Sequence, residues 1–301
     1  MEPLPLDVPI LTGGASDPTP EQILKMQMAL IMHPGVDDST RGHHLHSLVF
    51  LGNIKELCTI MEHNPSWSLL QSGNGYYDSD DPDDEEQHSI YLLTTSLDSL
   101  PQNRVRTVQI LFEAIAKSVS KARLALIARA GIITLAECSY GYEDFNQDDV
   151  TIFHLLLEAT SGFQLEFSNV AESIAQCNNV LLKRAFIEAV PLRDDTIATF
   201  FMYLSATKKS DAWNDDVINE TAMMLLDKRP VAAIMNCCYT IGFHDHMLFV
   251  PALTWCTKDV ARAIVHGLSA ADKTRVRETL LVLHHVGIPR ELHTTILAQI
   301  M

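Results

Sequence analysis

Three histidines in four residues, His43, His44 and His46 of GHHLHSL, are the first side chains whose type and spacing could hold a metal ion. On a helix, His43 and His46 lie three apart and share a face, while His44 points elsewhere. Zinc catalysis draws on three protein ligands and an adjacent acid or base. The H-E-x-x-H spacing is absent and no carboxylate follows within a turn, so these histidines are expected to pack and cap. A second cluster, MNCCYTIGFHDHMLF, gathers Cys237, Cys238, His244, Asp245 and His246, with Cys256 further on. Adjacent cysteines do not readily chelate one tetrahedral ion, and these gaps match no standard zinc ribbon. His284 and His285 close the apolar run VRETLLVLHHVG, where a last-turn histidine meets the negative end of its helix dipole. G-x-S-x-G, P-loop and G-x-G-x-x-G patterns are all missing, and Gly73-Asn74-Gly75 is a turn signal. The expectation is a chain with no catalytic residue, no bound metal and no cofactor.

The elements that would position these side chains are helical. The chain has 301 residues, 47% of them hydrophobic, which is ample material for a core. From Thr19 onward it reads as helical segments divided by polar loops, with little strand-like alternation. Thr19 can cap a helix, Pro20 suits its first position, and Gln22 completes a capping box. Pro34-Gly35 stops that helix. Residues 1–18, with Pro3, Pro5, Pro9 and Pro18, read as an extended arm, and 19–301 as one all-α domain of stacked helical hairpins.

Net charge and leader signals narrow the setting. A net charge of −16 and a pI near 5.1 repel phosphate backbones and anionic lipid, so nucleic acid is not an expected partner. MEPLPLDVPILTGG lacks a basic start and is broken by prolines, and no run of 18 apolar residues occurs. A cytoplasmic protein with reduced cysteines and no membrane insertion is expected. Most of the six cysteines sit in apolar runs, where a free thiol behaves as a small hydrophobe.

One segment differs in composition. SGNGYYDSDDPDDEEQHS, residues 72–89, carries seven acids between Asp78 and Glu86 and no aliphatic side chain among them. As an EF-hand loop begun at Asp78 it would need Gly sixth and Glu twelfth, but Asp83 and Ser89 stand there and Pro82 is fifth. It reads as a solvated loop inserted between helices, suited to attracting a basic protein partner. Tyr76 and Tyr77 abut it, and exposed aromatics are enriched at binding hot spots.

A short pattern recurs after helical stretches: LCTIME (57–62), VQILFE (108–113), FHLLLE (153–158), KRAFIE (183–188) and AMMLLD (222–227). Each ends in two apolar residues and an acid. Four of the five begin with an apolar residue three positions before the pair, the exception being Lys183. Such residues share one helix face, so each tail buries a stripe and leaves its acid at the edge. The ends fall about 51, 45, 30 and 39 residues apart.

Residues 42–65 resemble an ankyrin repeat. Leu45-His46 stand for the family's Leu-His, Leu48 for its Ala, Gly52-Asn53 for the central turn, Leu57 for the Val and Ile60-Met61 for the Leu-Leu pair. Ile174, Asn178-Asn179 and Phe186-Ile187 fall at equivalent places, as do Gly287 and Leu292. The resemblance covers about half the chain and implies a divergent array of hairpins sharing a core, with loops along one edge and His46 bonded to nearby loop backbone. His244-Asp245 is also similar to the metal-binding pair of all-α phosphohydrolases, although their earlier histidine has no counterpart nearer than His154.

The function expected from these features is a non-catalytic protein-binding scaffold or adaptor. Its contact residues would be Tyr76, Tyr77, Asp80, Asp81, Asp83, Asp84, Glu85 and Glu86. The alternatives are a metal-dependent hydrolase using His244, Asp245 and His246, and a self-assembling structural protein of viral or bacterial origin.

Overall fold

The computed structural model describes residues 19–70, 91–97, 103–138, 146–162, 168–177, 179–193, 196–197, 200–201, 215–228, 231 and 258–289. Among them there is no strand, as the sequence pattern predicts. The helices are α1 (Pro20–Met32), α2 (Asp38–Phe50), α3 (Ile54–His63), α4 (Tyr91–Leu97), α5 (Arg104–Ser118) and α6 (Lys121–Cys138). They continue with α7 (Asn146–Ala159), α8 (Ser168–Gln176), α9 (Val180–Ala189), α10 (Asp215–Lys228), α11 (Lys258–Gly267) and α12 (Ala270–His285). A 3-10 turn, Pro65–Leu69, follows α3.

Local chemistry sets the helix ends. Thr19 and Gln22 form the reciprocal capping box at the start of α1. Asp37 caps α2, accepting from the Thr40 amide and hydroxyl, both at 2.8 Å. Gly52 turns α2 into α3 with a φ of +64°, a region that costs an L-residue with a Cβ roughly 1–2 kcal/mol. Arg41, almost fully buried on α2, ties down the end of α1. It donates to the carbonyls of Ile31 at 3.0 Å and Val36 at 2.8 Å, while its guanidinium lies 4.5 Å over Trp67.

The helices pack in two rows. In one, α2 packs on α4, α4 on α6 and α6 on α8. In the other, α3 packs on α5, α5 on α7, α7 on α9 and α9 on α10. The hairpins α2/α3, α4/α5, α6/α7 and α8/α9 join the rows, and α1 packs on α2 while α11 packs on α10. The five recurring tails all lie in the second row, on α3, α5, α7, α9 and α10. Their acids Glu62, Glu113, Glu158, Glu188 and Asp227 are all exposed, and the stripe residues beneath are buried, Leu157 and Leu226 only partly. This is the amphipathic division expected of them.

The apolar interior has two parts. Ile31, Leu45, Leu48, Leu57 and Ile60 form the first with one face of α5, and α5 to α11 enclose the larger second. Helix α4 joins them, with Leu92 in the first and Leu93 in the second, both fully buried.

Candidate functional site

The histidine cluster of α2 separates into side chains with different surroundings. His43 is exposed and its ring lies 5.8 Å from that of the half-buried His44. His46 is half-buried, and its Nδ1 lies 2.8 Å from the Thr95 hydroxyl on α4. The resemblance predicts loop backbone as a partner; among the described residues the structure supplies a side chain of the neighbouring hairpin. His46 therefore ties two hairpins within the first row. Burial, with the nearby His43 adding to it, pushes its pKa down to about 4 from an ordinary 6.5.

That shift has a thermodynamic sign. Between pH 6.5 and about 4 the unfolded chain binds a proton at His46 that the folded chain refuses, so stability falls as pH falls through this window. The urea midpoint of the wild type should drop further between about pH 7 and about pH 5 than that of His46→Gln. Equal drops in the two proteins would remove His46 from the account.

The other residues singled out by chemistry are placed as follows. Tyr76, Tyr77, Asp80, Asp81, Asp83, Asp84, Glu85 and Glu86 lie outside the described residues, as do His244, Asp245, His246, Cys237, Cys238 and Cys256. The acidic segment falls in the chain between the 3-10 turn and α4, and thus between the first hairpin and the second. Trp67 packs against the first core, and Trp213 lies outside the described residues. Cys58, Cys138 and Cys177 are free thiols. Among the described residues no three His, Cys, Asp or Glu side chains come together as a metal-binding group.

A buried polar network joins the starts of the second-row helices, and sequence reasoning missed it. Asn103, at the N-cap of α5, donates from Nδ2 to the Gly52 carbonyl at 2.8 Å, linking α5 to the turn before α3. Next along the chain, Arg104 forms a fully buried ion pair with Asp149 in the first turn of α7. The other oxygen of Asp149 accepts from Asn179 Nδ2 at 2.9 Å, and Asn179 caps α9 by accepting from the Leu182 amide at 3.0 Å. The carboxylate thus meets a guanidinium, an amide and the positive end of its own helix. The starts of α3, α5, α7 and α9 are bonded side by side along one edge of the stack.

Lys183, the exception among the five tails, occupies the buried stripe all the same. It is 0% exposed, and its Nζ donates to the Ala175 carbonyl near the end of α8 at 3.0 Å. Burial pushes its pKa down to about 8, and pushes the neighbouring Cys177 thiol up to about 11. A thiol so held is not a nucleophile at neutral pH. The lone lysine in an otherwise apolar stripe, Lys183 beside Phe186 and Ile187, was the signal available in the sequence.

Arg104, Asp149 and Asn179 of this network are buried and link α5, α7 and α9, while Asn103 is half-buried. The fold and this edge define a class, a two-row stack of α-helical hairpins. Searches for similar proteins find no matching family model, no matching curated protein and no matching solved structure.

Proposed function

We propose that the chain is a non-catalytic recognition scaffold, a divergent ankyrin-like array that presents an acidic segment to a basic protein partner. The observation that carries this reading is the row of bonded helix starts from Gly52 through Asn103, Arg104 and Asp149 to Asn179. A stack held in register along one edge offers a rigid frame for the connections between its hairpins, the arrangement by which helical-repeat proteins bind partners. Residues 72–89 enter the chain between two hairpins anchored by buried side chains on both sides, Ile60 before and Leu92 after. Seven carboxylates in nine residues would raise the association rate of a cationic partner, and Tyr76 and Tyr77 would supply contact area.

The test is charge reversal. Changing Asp80, Asp81, Asp83, Asp84, Glu85 and Glu86 to lysine should weaken capture of the partner at least about tenfold, with the largest loss at low salt. If every protein recovered with the wild type is still recovered with the variant, the acidic segment is not the contact surface. Metal analysis of untagged protein, paired with a thermal melt after chelation, separates this reading from a hydrolase built on His244, Asp245 and His246. A scaffold keeps its melting temperature under chelation.

A further inference from the structure

The division of the interior sets the start of the fold apart. Ile31, Leu45, Leu48, Leu57 and Ile60 of α1 to α3 close the first part against Leu92 of α4 and Ile110, Leu111 and Ala114 of α5. A different face of α5, with Val108, Phe112 and Ile115, belongs to the second part. Residues 19–70 therefore form one packed unit that meets the rest of the described chain chiefly at α4 and α5. Units of such a stack are held by their neighbours, so one can open while the others stay closed. Two of the hydrogen bonds across this boundary are His46 with Thr95 and Asn103 with the Gly52 carbonyl, both at 2.8 Å.

Histidine is concentrated on one side of that boundary. Residues 19–70 hold five of the chain's 13 histidines, and His43, His44 and His46 lie within one turn of α2. His46 meets α4, whose sequence YLLTTSL offers no carboxylate to an imidazolium. The charged groups on the other helices packed against α2 are Glu21 and Lys25 of α1 and Lys55, Glu56, Glu62 and His63 of α3, with His33 following α1. Asp38 of α2 itself is taken by Arg41. Burial first, and then His43, disfavour the charged forms of both His44 and His46. Protonation would make both ring nitrogens of His46 donors and put a charge into a half-buried contact beside two further imidazoles. In the second part the described histidines, His154, His266, His284 and His285, are all exposed, so none carries a charge into its interior. We propose that His46 is an acid-operated catch, whose protonation favours the opening of residues 19–70 as one unit away from α4 and α5 while the second part stays closed. The surface uncovered is Leu92 with Ile110, Leu111 and Ala114. This goes beyond the recognition reading and is independent of what the acidic segment binds.

Hydrogen exchange of the full chain, read by mass spectrometry at about pH 7 and about pH 5 and corrected for the intrinsic pH dependence of amide exchange, tests it. Amides of α2 and α3 should open about twentyfold more often at the lower pH, the factor that follows from moving His46 from an ordinary 6.5 to about 4. Amides of α7 and α9 should keep their protection. His46→Gln, which cannot charge, should open equally often at both pH values. Should that variant fail to fold, His46→Asn takes its place, and the wild-type comparison of the two parts needs no variant. Unchanged protection of α2 and α3 in the wild type overturns the proposal. So does an equal rise in α7 and α9, which would mean that the whole fold opens together. A response of undiminished size in His46→Gln would assign the sensitivity to another group and overturn it as well.

Discussion

Replacing Asp149 with alanine is expected to destabilise the fold by about 3–5 kcal/mol, the cost of leaving one member of a buried ion pair uncompensated. Arg104 would keep its charge at 4% exposure without the Asp149 carboxylate beside it. Asn179 would lose the acceptor for its Nδ2, and with it part of what holds the α9 cap in place. Because Arg104, Asp149 and Asn179 belong to three helices, the damage reaches beyond one contact to the register of α5, α7 and α9. A double variant, Arg104→Met with Asp149→Leu, should lose markedly less, because no buried charge is left over. Urea unfolding of the three proteins decides it. If the single variant is as stable as the double, the network does not hold the edge together.

Phe186→Ala should cost a comparable amount, about 3–5 kcal/mol, for a different reason. Phe186 of α9 is fully buried, with the Phe153 ring of α7 at 6.3 Å on one side and the Phe200 ring at 5.9 Å, nearly parallel, on the other. Truncation removes both ring contacts and leaves a cavity between neighbouring helices of the second row, which a stack bonded at its edge can close only in part. Leu181→Ala, on the exposed side of the same helix, should change stability by no more than about 0.5 kcal/mol. A lower urea midpoint at an unchanged slope for Phe186→Ala identifies lost packing. A midpoint no lower than that of Leu181→Ala would mean that the three rings do not form a packed unit.

These two residues also mark where sequence reasoning succeeds and where it stops. Phe186 was legible, since the KRAFIE tail and its four counterparts place an apolar pair on one helix face and the acid at its edge. Helical periodicity is a local property, and it needs only 3.6 residues per turn to sort inside from outside. The capping box of Thr19 and Gln22 and the turn at Gly52-Asn53 were legible for the same reason, as interactions over three or four residues. Asp149 was not. In DDVTIF it reads as an ordinary first-turn acid, one of two in α7, and Asp148 beside it gives no hint which is buried. Arg104 lies 45 positions away and Asn179 lies 30. Lys183 breaks its tail's pattern in plain view, yet only the meeting with the Ala175 carbonyl explains why the stripe tolerates a cation.

The proposed contact surface divides in the same way. Composition alone singles out residues 72–89 as acidic and aromatic, because charge density needs no folding to be read. The amphipathic pattern likewise determined that the described residues would be helices with one buried face each. Only the tertiary structure decided that α3, α5, α7, α9 and α10 form one row and that His46 meets Thr95 of the neighbouring hairpin. A sequence states which residues prefer burial, but which partner buries them depends on distances between segments tens of residues apart.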